Sequence, residues 1–278
     1  MATTSAMSVP SIGRSFSQVE GNPIGNRILL NLPARECALI YPQLTFVEMR
    51  SHDVLQECEH AIKYAYFFES GVASVLNVTE DGRSVEVGIL GKEGCTGLPL
   101  AVGLRTSVCR IVVHKSGTAF RIAAPRFVAI LQQCSRLQSR IQQYSHLMAM
   151  QSAQFACCNQ LHEIDKRLAR WLLMSQDRME SDLIPVTQEF IAQMLGTRRA
   201  SVTVAAGLMQ QAGLICSARG SIKILDRQRL EEAACECYQI IGSRTNVWTR
   251  EANLGLVEIS PVSRPATPVT ATSTLNSI

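Results

Sequence analysis

The sequence predicts an α+β chain: an N-terminal β-roll, a long helix, and a C-terminal pair of short helices braced by a small hairpin. Three observations carry that expectation. Short strand-like stretches separated by turn signals fill the first part of the chain. Between residues 137 and 158, apolar or seam positions recur in alternating steps of four and three. Residues 184–225 then read as helix, glycine turn, helix and hairpin.

That last stretch organises the rest. Thr187 stands where an N-cap belongs, with a hydroxyl able to accept from first-turn amides. Ile191, Met194 and Leu195 follow on one apolar face, and Gly196 ends the helix. A second periodic run begins near Arg198, with Val202, Ala205, Ala206 and Met209 inward and Arg199, Ser201 and Thr203 free to point elsewhere. Ala192 is small enough for the two helices to cross closely, and Gly213 closes the second. Leu214 to Ser217 and Ser221 to Leu225 make a wing around a tip at Ala218 to Gly220. Outward-facing Arg198, Arg199, Ser201 and Thr203, with Arg219 on the wing and Thr187 and Gln188 at the front, supply donors for phosphates and base edges. A lone arginine pair would be a solvated helix start; inside a complete helix-turn-helix and wing it points to double-stranded DNA.

The segment TQEFIAQMLGTRRASV, followed by AGLI and the basic wing ARGSIKI, resembles the winged helix of the Crp/Fnr transcription regulators. The resemblance implies that Arg199 matches a base-reading arginine. Ala200 and Val204 replace the acidic residue and second arginine of the cyclic-AMP receptor protein, so the target sequence should differ. Earlier in the chain, Gly71 in FFESGVASVLNV resembles the central hairpin of the cyclic-nucleotide-binding domain that precedes this reader in the family. The likeness spans roughly residues 26 to 242 and implies a jelly-roll-like sensor, a parallel dimer helix and a palindromic operator. Family members that bind cyclic AMP carry Gly-Glu and Arg-Ser or Arg-Thr in the stretch that is GKEGCTGLPLAVGLRTSVCR here. Arg105 and Thr106 supply the second half, but Cys95 follows Gly94 where the ribose acceptor would stand. Ser152 matches a purine-contacting hydroxyl and Ala153 follows it. The resemblance therefore implies a degenerate pocket, with an unidentified effector or none favoured over a cyclic nucleotide as cofactor.

In chain order, residues 1–25 are expected as a disordered arm, 26–124 as the roll, 125–159 as a short helix and the long helix, 160–242 as the reader, and 243–278 as a disordered Ser/Thr/Pro-rich tail. Residues 26–36 read as a short helix interrupted by proline. The long helix offers Leu137, Ile141, Tyr144, Met148, Gln151, Phe155 and Cys158 as a coiled-coil seam between two copies. Its rival is a stripe packed on the same chain's roll. Residues 159–163 form a polar break and hinge. Ile164 to Arg178 is a basic amphipathic helix burying Leu168, Trp171, Leu172 and Ser175, with Lys166, Arg167 and Arg170 set to touch the DNA backbone. Residues 226–241 read as a closing helix.

Composition sets limits. With 278 residues the chain can hold two modest domains, and a net charge of +4 is too small to indicate nucleic acid without its placement on the reader. Ten cysteines invite a disulfide or metal reading, but no C-x-x-C pair occurs, so no metal site is assigned and reduced packing thiols in the cytoplasm are expected. The alternative is a redox or metal sensor of the same architecture, in which Cys158 meets its mate across a two-fold axis. His52 and His60 sit eight apart in a polar run and read as solvated. No phosphate loop, H-E-x-x-H or G-x-S-x-G is present, so catalysis is not expected. No stretch has membrane-spanning length, and the first residues lack a secretory signal's apolar core. Activation would add a contact to RNA polymerase.

Overall fold

The computed structural model describes residues 18–19 and 21–254. Strands β1 (Gln18–Val19) and β2 (Asn22–Pro23) pair as a small hairpin, so the expected disordered arm is ordered over its last few residues. The cause is Asn26, fully buried, whose side chain donates to Phe68 O (2.9 Å) and Gly94 O (2.8 Å) and accepts from Ile28 N (3.1 Å). Residues 26–33 are correspondingly a turn, and of the helix predicted over 26–36 only 34–36 are helical. Helix α1 (Ala34–Ile40) starts after Pro33, because a proline is accommodated at a helix start and pushes the residue before it out of helical geometry.

The roll contains β3 (Thr45–Met49), β4 (Val54–Gln56), β5 (Tyr64–Phe68), β6 (Val72–Val78), β7 (Ser84–Leu90), β8 (Cys109–Lys115) and β9 (Gly117–Ala123). They form two antiparallel sheets, β3-β9-β5 and β4-β8-β6-β7. Alternate residues turn inward between them, among them Met49, Phe68, Leu90, Ile111 and Val113. Gly71 (φ +83°) turns β5 into β6 where a Cβ would lie 2.7 Å from Lys115 O, so only glycine fits. Strand β4 was not anticipated; it is three residues long and pairs with β8 through a register shift inside the polar 52–60 run.

After α2 (Ala124–Leu131) comes the long helix α3 (Ser135–Leu161). Its own N-cap side chain makes no capping bond. The Glu36 carboxylate accepts from Arg136 N and Leu137 N instead, each at 2.9 Å, tying α1 to the helix start. The predicted seam faces the chain's own interior. Leu137, Ile141 and Tyr144 join the core under β5 and β9, Gln151 accepts from Ile89 N at 2.8 Å, and Phe155 and Cys158 are buried against the reader side. A four-three period identifies one face of a helix without saying which surface covers it. The face left exposed carries Gln142, His146, Ala149, Ala153, Ala156 and Gln160.

The hinge is shorter than expected. Helix α3 continues through Leu161, and only His162 and Glu163 are extended (ψ 142° and 157°) before α4 (Ile164–Met179). The reader follows as β10 (Leu183–Ile184), α5 (Gln188–Met194), α6 (Arg199–Gln211), β11 (Ile215–Ala218) and β12 (Ser221–Ile224). In place of one closing helix there are two, α7 (Arg227–Ala233) and α8 (Cys237–Leu254). Helix α8 runs past the expected boundary at 242 because Ile241 and Trp248 are buried, Trp248 with its ring 5.4 Å from Tyr144 on α3. Residues 255–278 of the anticipated tail lie outside the described residues. None of the described helices is long and apolar enough to cross a membrane.

The reader packs on the outer face of the β6-β7 sheet, where Val72, Leu76 and Ile89 meet Leu168, Trp171 and Leu172. At the centre of this contact the Glu86 carboxylate accepts from Trp171 Nε1 (3.1 Å) and Ser74 Oγ (2.6 Å), while His114 stacks parallel on Trp171 at 5.3 Å. Burial raises the Glu86 carboxyl to about 7, only partly opposed by Ser74, Arg170 and Arg178, and lowers His114 to about 4. In the unfolded chain Glu86 ionises near the ordinary carboxylate value of 4.5, whereas the folded carboxyl keeps its proton to about 7. Its contribution to stability therefore falls as pH rises through that window, by at most on the order of 3 kcal/mol, and is flat above it. Glu86→Gln keeps an acceptor for Trp171 and removes that slope. Denaturant midpoints of the variant should exceed those of the native chain at about pH 8 and stay close to them at about pH 5. An equal shift at both values would contradict the assignment.

Candidate nucleic-acid interface

The reader's two helices are set by caps and by which faces they bury. Thr187 Oγ1 accepts from Phe190 N at 3.1 Å and opens α5, whose Ile191, Ala192 and Met194 turn inward. Gly196 (φ +59°) makes the turn, and α6 begins after Arg198. With Val202, Ala205, Ala206 and Met209 buried, the helical period leaves Arg199, Ala200, Thr203, Val204, Gly207 and Leu208 facing outward. Val204 and Leu208 are 65% and 57% exposed, an apolar strip where thymine methyl groups could be met.

The wing is fixed to this helix. Strands β11 and β12 pair from Ile215↔Ile224 to Ala218↔Ser221, leaving Arg219 and Gly220 as the two-residue tip, with Gly220 at φ +80°. The carbonyl of the Gln210 side chain accepts from Ser217 N at 2.9 Å and locks hairpin to helix. Lys223 is exposed between buried Ile222 and Ile224. The sequence reading passed it over, although alternation along SIKI placed it outward.

Four of the seven residues predicted to touch DNA line one groove: Thr187, Gln188, Arg199 and Arg219 surround a cleft of about 560 Å³ between the front of α5, the start of α6 and the wing. Thr203 supports them from beside. Its hydroxyl lies 2.7 Å from Gln188 Oε1 and 3.0 Å from Arg199 O, so it orients Gln188 across the two helices. Arg198 and the half-buried Ser201 face elsewhere, into a cleft of about 1000 Å³ shared with the β6–β7 turn at Arg83, Ser84 and Val85. Gln193 Nε2 bonds Ser84 Oγ there at 2.6 Å. The expected backbone contact by Arg170 does not hold: its guanidinium is buried over the Phe155 ring at 4.2 Å, and Arg167 donates to Leu195 O. Both lie on the face of α4 that packs inward.

The five residues predicted to form an effector pocket are not brought together. A Cβ at Gly94 would fall 1.9 Å from the Tyr144 oxygen, so the phenol lies directly on this glycine. Cys95 is buried, which pushes its thiol well up. Arg105 and Thr106 are exposed on the following loop, and the Ser152 hydroxyl is engaged by Val87 O (2.8 Å) and Met148 O (3.1 Å). Glu93 is held instead by Arg178 of α4 at 2.7 Å, both side chains largely buried.

His52 and His60 are exposed. The cysteine expected on a two-fold axis is not: Cys158 is fully buried with Sγ 3.5 Å from Cys235 Sγ, and its neighbour Cys157 is the exposed one. Cys158, His162, Cys235 and Cys237 bring their ligand atoms within 4.8 Å of one another. The close pairs Cys157/Cys158 and Cys235/Cys237 are visible in the sequence, but the fold alone brings Cys158 and His162, a C-x-x-x-H, to the C-x-C about 75 residues later.

Residues 166–233 match the family model of the Crp-like helix-turn-helix domain. No curated protein is similar enough in sequence to count as a match. Among solved structures, a protein described as a Crp/Fnr-family transcriptional regulator from Eubacterium rectale is similar at a TM-score of 0.60 and 20% identity, covering 73% of this chain and 94% of its own. FixK2 from Bradyrhizobium japonicum is similar at 0.60 and 14%, covering 69% and 98%. The c-di-GMP responsive global regulator CLP from Xanthomonas campestris is similar at 0.59 and 14%, covering 70% and 100%. With that reader behind a roll and a long helix, the chain carries a Crp-like helix-turn-helix domain within the fold of the Crp/Fnr transcription regulators.

Proposed function

We propose that the chain regulates transcription as a homodimer that reads a palindromic DNA operator sequence-specifically. One observation carries this: Thr187, Gln188, Arg199 and Arg219 share a single outward groove, at the start of a helix whose opposite face is fully buried. Arg199 is the base reader, able to present two donors to the acceptor edge of a guanine. Arg219 and Lys223 on the wing take phosphates, and Arg198 steers the helix start. The protein's work is to place two such helices one DNA turn apart, about 34 Å.

Dimerisation uses the exposed face of α3, with Ala149, Ala153 and Ala156 small enough for two helices to approach closely and Gln142, His146 and Gln160 at its ends. Its spacing of four and three keeps it on one side throughout the helix. The roll acts on the reader through the buried contacts of Glu86 with Trp171 and Glu93 with Arg178, which any effector would have to bias. A cysteine-based sensor of the same architecture rests on a single observation, the grouping of Cys158, His162, Cys235 and Cys237.

Selection of bound duplexes from a random pool reports the operator and its symmetry. On the selected site Arg199→Ala should cost about 1 to 3 kcal/mol and relax preference at one base pair per half-site. Thr187→Ala, which removes a cap, should lower reader stability by about 1 kcal/mol and weaken all sequences alike. Unchanged affinity and preference in Arg199→Ala would remove the assigned role. Ala153→Glu should shift the chain toward monomer in sedimentation and lose most operator affinity. A dimer with native affinity would place the two-fold axis elsewhere.

A further inference from the structure

Where the long helix ends, three helices meet around four soft donors. Cys158 lies on the last turn of α3, His162 follows that helix, Cys235 sits between α7 and α8, and Cys237 is the first residue of α8. Cys158 Sγ and Cys235 Sγ are 3.5 Å apart, and Cys237 Sγ is 3.6 Å from His162 Nδ1. Four donors on a tetrahedron with metal–sulfur bonds of about 2.3 Å stand roughly 3.8 Å from one another, so these two edges are close to the required length and the other four, all within 4.8 Å, need only a small contraction. We propose that Cys158, His162, Cys235 and Cys237 bind one zinc ion, which fastens the start of α8 to the junction between the long helix and the reader.

The surroundings are those of a ligand shell. His162 Nε2 lies 3.3 Å from Glu236 Oε1, which fixes the proton on that nitrogen and turns the Nδ1 lone pair toward the thiols. Gln154 Nε2 donates to Cys237 Sγ at 3.1 Å, a bond suited to a thiolate. Arg170 is buried at 2% exposure with no carboxylate at salt-bridge distance among the described residues, and it acts electrostatically on Cys158. Its charge also reaches the Glu86 carboxyl, but no acid pairs with it directly, and a buried guanidinium without a direct ion pair is served by an anion nearby. Zinc with three thiolates and a neutral imidazole carries a net charge of −1, which Arg170 balances. Binding releases the three thiol protons and involves no change of oxidation state. Four protein donors complete the coordination, so the site is structural, with no place for a water nucleophile.

The position gives the ion a role. Helix α8 leaves the cluster and runs back beside α3 until Trp248 reaches Tyr144, whose hydroxyl covers Gly94. Loss of zinc would free the start of α8 while leaving the reader's groove, on the far side of α6, unaltered.

The full chain, purified with reductant and no chelator and dialysed against zinc, should hold one zinc per chain by elemental analysis. Absorption at the zinc edge should report three sulfur neighbours and one nitrogen, and Co(II) in its place should show the ligand-field bands of tetrahedral thiolate coordination. Cys235→Ser with Cys237→Ser should abolish binding, while Cys157→Ser, which alters only the exposed neighbour, should retain it. The edge spectrum of the native chain decides the matter if the double variant does not fold. Chelation should speed tryptic cleavage at Arg244 and Arg250 within α8. No zinc uptake by the reduced native chain, an iron chromophore, a Cys158–Cys235 disulfide in reductant-purified protein, or full binding by the folded double variant would each overturn the proposal. Operator binding is measured separately, so a failed metal site leaves the DNA-binding proposal standing.

Discussion

A carboxylate with no access to water holds the reader against the roll. Glu86 spends one oxygen on the Trp171 indole and the other on Ser74, and the His114 ring closes over the indole. The Ser74 bond stays within the sheet, whereas the Trp171 bond crosses to α4, and breaking it with both groups still buried would cost more than the bond itself. The Glu93–Arg178 pair and the bond from Lys115 Nζ to Met179 O (2.7 Å) grip the same helix farther along. Breaking a buried ion pair by removing one partner typically costs about 3 to 5 kcal/mol. Helix α4 is thus the part of the reader that belongs to the roll, and α5, α6 and the wing are positioned through it.

This arrangement uses up one face of the long helix. Its apolar stripe is consumed inside the chain: Leu137, Ile141 and Tyr144 beneath the β5-β9 sheet, Phe155 under Arg170. Tyr144 thereby fills the ground above Gly94, where the family resemblance would put a nucleotide phosphate. What remains outside is a narrow strip of alanines and short polar residues, and α8 covers ground immediately beside it, near His146, Leu147 and Met150. Close helix approach favours small residues, and such a strip has too little apolar area to announce itself by hydrophobicity.

The reader was legible because local chemistry determines it. A Thr cap, a glycine at positive φ and an inward stripe of Val202, Ala205, Ala206 and Met209 each act within one turn of the chain. The positions of the roll strands β3 and β5 to β9 were legible for the same reason, though not their order in the sheets. What sequence did not reveal depends on distant partners. Asn26 orders the N-terminal hairpin through Phe68 and Gly94, and Glu36 caps a helix that begins a hundred residues later. Helix α8 has few apolar residues, and burial of Ile241 together with Trp248 against Tyr144 holds it in place. Arg170 looked like a DNA contact because a basic residue on an amphipathic helix usually faces water; its burial is decided by Phe155 and the thiols, which no local pattern contains.

The two regions where the chain departs from what the resemblance implies lie about four turns apart on α3 and are connected by α8. At the first Tyr144 sits on Gly94; at the second, Cys158 faces Cys235. Between them α8 spans from Cys237 to beyond Trp248, packed along α3 for most of that distance. A change at the cysteine end alters where α8 begins, and through Trp248 it alters what holds the Tyr144 ring in place. The reverse holds as well, since any molecule that displaced Tyr144 would have to move Trp248, and coupling between two sites through one packed element is reciprocal. The exposed strip of α3 lies beside this same helix, so in the dimer proposed above the position of α8 would set how closely a second long helix could approach.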